Sequence, residues 1–151
     1  MSLESRGVAM RVMVPADYDA LLALLTSTPG VTLRDADSRD ATGRYLARNP
    51  GLSLVAEDAG TIVGCVMAGH DGRRGYLNHL IVLPAYRHRG VASALVDRCL
   101  DGLEREGIAK VHIDVLVDNA AAVAFWEKRG WWLRTDIHRY SFARSGGGSN
   151  A

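Results

Sequence analysis

The sequence predicts a single domain of the α+β class, with a mixed sheet of about seven strands flanked by about four helices. Three apolar segments in the middle of the chain are joined by short turn signals, which indicates an antiparallel meander. A glycine-bearing turn, an amphipathic helix and an alternating strand follow, and this order indicates a right-handed crossover to a parallel strand. A length of 151 residues with 48% apolar content fits one core of that size.

The N-terminal third predicts one strand and two helices. Val8 to Val14 is expected to be the first strand, and Pro15 is well placed to open a helix. The apolar face of that helix has helical spacing and consists of Tyr18, Leu21, Leu22 and Leu25. A second helix is expected from Ser38 to Arg48, with Asp37 or Ser38 as its cap.

The middle of the chain predicts three consecutive strands. Leu52–Glu57 and Thr61–Ala68 flank Asp58-Ala59-Gly60, which is a hairpin signal. A second turn at Asp71-Gly72 leads to Tyr76–Leu83, which is expected to be the central strand.

The segment after the central strand has the pattern of a phosphate-binding turn. Pro84 ends the apolar run, and Arg87-His88-Arg89-Gly90-Val91-Ala92 precedes a helix that begins near Arg89 or Gly90. The first N–H groups of a helix have no helical partner, and a glycine lets an anion approach the backbone. The hexapeptide therefore predicts a site for a phosphate or pyrophosphate.

The C-terminal part predicts a strand, a helix and a hairpin. Val111 to Val117 alternates in polarity and is expected to lie parallel to the central strand. Asn119 is expected to cap a helix that Gly130 ends. Trp131–Leu133 and Ile137–Phe142 are expected to form a closing hairpin.

Two segments resemble signatures of the Gcn5-related N-acetyltransferases. Arg87, Gly90 and Ala92 occupy the defining places of the family's R/Q-x-x-G-x-G/A turn, and Asn119 to Trp131 resembles its N-x-x-A-x-x-F-Y-E-K-x-G-F signature. The resemblance covers about Tyr76 to Trp132. It implies a three-layer GNAT-like fold in which the Tyr76 and Val111 strands splay apart. It also implies acetyl transfer from acetyl-CoA to a primary amine, by direct attack in a ternary complex.

The resemblance also implies which residues bind the cosubstrate. Main-chain groups of the central strand would contact the pantetheine arm and the acetyl carbonyl, the turn would bind the pyrophosphate, and Asn119 would contact coenzyme A. The residues concerned are Leu80, Ile81 and Val82 of the strand and Arg87, His88, Arg89, Gly90, Val91, Ala92 and Ser93 of the turn.

The sequence departs from the family's second signature at Trp126, which stands where the family most often has a tyrosine acid. An indole donates a hydrogen bond but does not serve as that acid, so packing against the pantetheine arm is the preferred interpretation for Trp126. Tyr140 or a water is the expected substitute. Asp114 is the first choice for the base that accepts the amine proton, with His79 and Tyr76 as alternatives.

The loop and helix around residues 34–45 would, by the same resemblance, close over the acceptor. The charged side chains of this region, Asp37 among them, are expected mainly at the surface, with acceptor selection as the alternative interpretation.

Composition excludes several other classes of protein. With 18 Lys+Arg against 17 Asp+Glu, nothing predicts a broad nucleic-acid or membrane footprint. Cys65 and Cys99 lie in apolar patterns and are expected to be reduced thiols of a cytoplasmic protein, and no metal-ligand spacing is present.

The remaining expectations concern organisation and the alternative function. Residues 8–143 are expected to form the domain, with flexible ends at 1–7 and 144–151, and association into a homodimer is left open. The acceptor is expected to be a peptide N-terminus or a small-molecule amine. The alternative function is that of a non-catalytic acyl-CoA-binding module.

Overall fold

The computed structural model describes residues 7–144, so most of the two predicted flexible ends, residues 1–6 and 145–151, lies outside the described residues. The chain consists of two compact units, one up to Ile113 and one from Asp114 onward. They are called the first and the second unit below.

The first unit contains a five-stranded sheet in the order β1-β2-β3-β4-β5. The strands are β1 (Val8–Val12), β2 (Leu54–Asp58), β3 (Thr61–His70), β4 (Gly75–Val82) and β5 (Val111–Ile113). β1 to β4 pair in antiparallel fashion, and β5 pairs with β4 in parallel. The predicted meander and the predicted parallel strand after the crossover are therefore both confirmed.

Three helices of the first unit cover the sheet. They are α1 (Tyr18–Ser27), α2 (Arg39–Arg48) and α3 (Val91–Arg105), and Ser38 caps α2 by accepting the Ala41 N–H at 3.2 Å. One apolar cluster joins α1 and α2 to the sheet through Leu21, Leu25, Leu46, Val55 and Ile81, among others. α3 packs against β2, β3 and β4 and buries Leu95, Val96 and Leu103 fully.

A buried carboxylate fixes the entry to α1. Asp17 ends a short 3-10 turn that Pro15 opens, and its side chain accepts hydrogen bonds from the Val14 N–H at 2.8 Å and from the Arg11 guanidinium at 2.8 and 2.9 Å. The guanidinium hydrogen bonds hold the pKa of Asp17 below its usual range.

The second unit is built on α4 (Ala120–Lys128). The Asn119 Oδ1 accepts the Ala122 N–H at 3.1 Å, as predicted for a cap. Trp126 is buried and packs edge-on against Phe125 and Trp131, with ring centroids 5.1 and 4.6 Å away.

Two predictions of strands are wrong for the described residues. The sheet has five strands rather than seven, because the strand predicted to reach Val117 ends at Ile113 and the closing hairpin is absent from residues 131–142. An alternating pattern fixes which side chains share a face, but a strand also needs a neighbour that satisfies its backbone. Val117, Tyr140 and Phe142 are instead 99%, 90% and 89% exposed.

Candidate active site

β4 extends past the end of its parallel partner. Its ladder with β5 comprises Gly75↔Val111, Tyr76↔His112 and Leu77↔Ile113, and it ends there. In the sheet formed by the described residues, β4 from Asn78 onward has β3 on one side and no strand on the other. The main-chain groups of Leu80, Ile81 and Val82, which were predicted to meet the cosubstrate, lie on this part of β4.

A β-bulge interrupts β4 at His79. Cys65 pairs with Ile81 but Met67 pairs with Asn78, so two residues of β4 stand opposite Val66 alone. His79 takes a left-handed conformation with a φ of 50°, and the Cys65 thiol donates to its carbonyl at 3.3 Å. A bulge re-aims a side chain, and here the redirected side chain is the one imidazole of β4.

The imidazole of His79 meets a carboxylate from the loop between α1 and α2. His79 Nε2 lies 2.6 Å from Asp37 Oδ1, and the side chains are 22% and 13% exposed. From the sequence, His79 was predicted only as an alternative base, and no partner was predicted for Asp37. The two residues are 42 positions apart, and no local pattern indicates that they meet.

Asp37 is held in place by three further hydrogen bonds. Its Oδ2 accepts the Arg34 N–H at 2.9 Å, its own N–H donates to the Arg34 carbonyl at 2.9 Å, and its carbonyl accepts the Tyr18 hydroxyl at 2.8 Å. The carboxylate therefore presents Oδ1 to the imidazole in one fixed orientation.

A small apolar cavity adjoins this pair. His79, Asp37 and Tyr18 line it together with Met13, Leu21, Leu22, Leu25, Thr42, Cys65 and Met67. Burial raises the pKa of the Cys65 thiol to about 12. A thiol with that pKa is protonated near neutral pH, which argues against Cys65 as a covalent nucleophile.

The turn before α3 forms a concave run of backbone amides. His88 and Gly90 have φ values of 61° and 82°, and alternation of left-handed with other conformations turns successive N–H groups toward one side. The first α-helical hydrogen bond at this end runs from the Ala94 N–H to the Gly90 carbonyl, at 3.0 Å. The amides of Val91 and Ala92 precede it, and a Cβ built at Gly90 meets no atom within 4 Å. An anion therefore has both open space and backbone donors at this turn.

The basic side chains of the turn have defined contacts. Arg87 Nε donates to the Val82 carbonyl at 3.1 Å, so this side chain reaches back to the end of β4. The Arg89 guanidinium lies 5.1 Å from the centroid of the Tyr86 ring, and the Tyr86 hydroxyl donates to Asp58 Oδ2. Arg87, His88, Arg89 and Gly90 are exposed, whereas Val91 is buried and Ala92 and Ser93 are half-buried.

The remaining predicted catalytic residues have different surroundings. In the second unit, Asp114 is 74% exposed and accepts a hydrogen bond from Arg139 Nη1 at 2.6 Å, and Tyr140 is 90% exposed. In the first unit, the Tyr76 ring lies against the His112 ring at 5.6 Å. None of these contacts tests the catalytic roles expected of these residues.

Residues 7–144 contain neither a metal-binding cluster nor a helix that could span a membrane. No group of three or more His, Cys, Asp or Glu side chains in this range is arranged to hold a metal ion. Within the same range, every helix is too short or too polar to span a membrane.

The fold and the turn agree with comparisons to known proteins. Residues 18–131 match the acetyltransferase (GNAT) family, so the chain belongs to that family. An acetyltransferase from Sodalis glossinidius is 45% identical over 94 residues, which are 62% of this chain and 66% of the relative, slightly less than two thirds of its length.

Two solved structures share the fold at low sequence identity. The crystal structure of Ard1 from Thermoplasma volcanium has a TM-score of 0.75 at 20% identity, covering 85% of this chain and 84% of that one. AAC(6')-Iy in complex with the bisubstrate analogue CoA-S-monomethyl-acetylneamine has a TM-score of 0.69 at 21% identity, covering 90% and 98%. The α+β GNAT-like fold predicted from the sequence is thus confirmed, with four helices and a mixed sheet of five strands among the described residues.

Proposed function

We propose that this protein is an N-acetyltransferase that transfers an acetyl group from acetyl-CoA to a primary amine by direct attack in a ternary complex. The observation that carries the proposal is the arrangement of β4, the Arg87–Gly90 turn and α3 in a chain of the GNAT family. In this arrangement a strand with an open edge leads directly into a run of backbone donors.

The residues of this chain fit the cosubstrate in two places. At the turn, the amides of Val91 and Ala92 and the open space over Gly90 suit a pyrophosphate. On β4, the backbone between Asn78 and Val82 pairs with no strand of the sheet on the β5 side, so an extended arm that paired there would continue the sheet. Acetyl-CoA supplies the acetyl group as a thioester when bound.

The acceptor is proposed to be a primary amine, of a peptide N-terminus or of a small molecule. The amino-sugar part of the analogue bound to AAC(6')-Iy supports the second class for a protein of this fold. The proton that the ammonium loses is proposed to go to Asp114, the first choice from the sequence, or to one of the alternatives His79 and Tyr76. The Asn119 side chain caps α4 through Oδ1, and its expected contact with coenzyme A stays a prediction.

The alternative is a non-catalytic acyl-CoA-binding module. Trp126 supports it, because a buried indole among aromatic rings stands where the family most often has its acid. A thiolate is already a moderate leaving group, however, so turnover does not depend strictly on a dedicated acid. We therefore favour the enzyme.

Release of free thiol from acetyl-CoA, measured on adding a library of primary amines, tests the proposal. The expected result is thiol release that depends on both the protein and one class of amine. A pure binding module would instead bind acetyl-CoA in calorimetry without releasing thiol with any amine, and that outcome would reject the enzyme.

A further inference from the structure

We infer that Asp37 is the residue that orients His79, and that His79 Nδ1 is the atom that accepts the proton of the incoming ammonium. The inference rests on the proposed function, and it assigns a role to a loop carboxylate that the signatures of the family do not include. It depends on which ring nitrogen meets Asp37 and on how the carboxylate is held.

The tautomer follows from the contact. An ionised carboxylate is only an acceptor, so the imidazole nitrogen 2.6 Å from Asp37 Oδ1 must be the one that carries hydrogen. That nitrogen is Nε2. A neutral imidazole has one donor and one acceptor nitrogen, and the lone pair therefore resides on Nδ1.

The orientation is rigid because both partners are constrained. The Arg34 N–H fixes Asp37 Oδ2, and the bulge holds the His79 backbone at a φ of 50°. A base that a third group orients is the arrangement that enzymes use to activate a nucleophile. Asp114 lacks this arrangement, because its partner Arg139 is a permanent cation on an exposed side chain.

The neighbouring titratable groups do not compete for the same proton. Tyr18 of α1 and Cys65 of β3 both line the cavity. The Tyr18 hydroxyl donates to the Asp37 carbonyl. The Cys65 thiol is neutral near pH 7 because burial raises its pKa to about 12. Arg39 lies over the Tyr18 ring and pairs with Asp19.

The proton balance of the step is complete. The ammonium gives one proton to His79 Nδ1, and the freed lone pair forms the C–N bond to the acetyl carbon. The C–S bond breaks with its electron pair going to sulfur. The nitrogen then loses a second proton, which neutralises the thiolate, while the imidazolium returns its proton to solvent.

The substitution Asp37→Asn should reverse the tautomer without removing the contact. The Arg34 N–H already donates to Asp37 Oδ2, so the new amide would keep its oxygen at Arg34 and present its NH₂ group to His79 Nε2. Nδ1 would then carry the hydrogen and lose its ability to accept a proton. Asp101→Asn is the matched control, because Asp101 is an exposed carboxylate of α3 in the same unit and lies outside the loop and helix around residues 34–45.

Two measurements test the inference on the full chain. Long-range ¹H–¹⁵N NMR of labelled histidines, with His79 assigned through His79→Gln, should find the Nε2–H tautomer in the wild type and the Nδ1–H tautomer in Asp37→Asn. With the amine found by the library screen, Asp37→Asn and His79→Gln should each lower kcat/KM by about 10²-fold, and the double variant should be no worse than His79→Gln. Asp101→Asn should match the wild type, and all variants should keep their affinity for acetyl-CoA.

Contrary outcomes separate this inference from the proposed function. Three outcomes would overturn the role of Asp37 alone, provided that the wild type turns over. They are an Asp37→Asn variant with unimpaired kcat/KM, an Nδ1–H tautomer of His79 in the wild type, and losses that multiply in the double variant. A wild type that binds acetyl-CoA and releases no thiol with any amine would overturn the proposed function, and the base role with it.

Discussion

Asp37 and Asp114 each contact a basic side chain, and the surroundings of the two contacts differ. In the first unit, Asp37 is 13% exposed and meets an imidazole. In the second unit, Asp114 is 74% exposed and meets a guanidinium. An imidazole partner keeps a nitrogen that can take up a proton near neutral pH, whereas a guanidinium partner does not. The identity of the partner, more than that of the carboxylate, therefore decides which pair is suited to proton transfer.

The largest expected effect concerns the buried side chain of the second unit. Trp126→Ala should lower the free energy of unfolding by about 3–5 kcal/mol, because it removes a buried indole from between Phe125 and Trp131. Trp126→Tyr should keep the rate at saturating acetyl-CoA if the indole acts by packing. Urea unfolding and initial rates measure the two effects.

Trp132→Ala is the control for Trp126→Ala, since Trp132 is 66% exposed in the same unit. Equal destabilisation by the two alanine variants would show that the burial of Trp126 does not stabilise this unit. A steep loss of turnover in Trp126→Tyr with intact cosubstrate affinity would show that the indole itself acts in the transition state.

The next effect concerns the anion site of the first unit. Gly90→Val places a branched side chain over the amides of the turn and keeps the pyrophosphate away from them, so binding of acetyl-CoA should weaken roughly 10- to 100-fold. The strain of a valine at a φ of 82° lowers folding stability in the free and the bound protein alike. Gly72→Val is the matched control, because Gly72 has a φ of 91° in a hairpin turn and is equally open. Calorimetry that finds the same affinity in both folded variants would place the phosphate site elsewhere.

Some features of the fold and the candidate site were predicted from the sequence, and others were not. The meander, the start of α3 directly after Gly90 and the Asn119 cap depend on local signals such as turn residues, helical spacing and capping side chains, and all three were predicted. The end of β5 at Ile113 depends on whether a neighbouring backbone is present, and alternation of polarity from Val111 to Val117 carries no information about that. The contact between Asp37 and His79 depends on a bulge and on a loop 42 residues away, so the sequence supplied both residues but not their pairing.

The carboxylate of the ion pair at Asp17 is buried, whereas that of the pair at Asp114 is exposed. Asp17→Asn should destabilise the protein by about 1–3 kcal/mol at pH 7, because a buried carboxylate with charged donors is lost. The folded-state pKa of Asp17 lies below its unfolded value, so its contribution is present above the unfolded pKa and is lost as the pH falls through the folded one. The difference in stability between wild type and variant should therefore shrink below about pH 4. A difference that grows in acid would contradict this assignment.

The smallest effect is expected at the exposed pair. Asp114→Asn and Arg139→Ala should each change the free energy of unfolding by less than about 1 kcal/mol, because both side chains are mostly exposed and the ion pair is screened by water and salt. Thermal unfolding at low and high salt measures this. A loss several times larger would mean that the pair is structural.

The most direct test of whether the proton acceptor lies in the first unit is the pH dependence of kcat/KM. It is measured for His79→Gln, Asp114→Asn and the wild type, with the amine from the library screen. His79→Gln should be about 10²-fold slower near neutral pH and should approach the wild type as the pH nears the pKa of the amine, where free amine needs no base. Asp114→Asn should follow the shape of the wild-type profile, because in this assignment the Asp114 carboxylate takes no proton from the amine and pairs with Arg139 at the surface. If kcat/KM of Asp114→Asn is low and recovers at high pH while His79→Gln follows the wild-type profile, the base is Asp114. That result would contradict the assignment of the proton acceptor to His79.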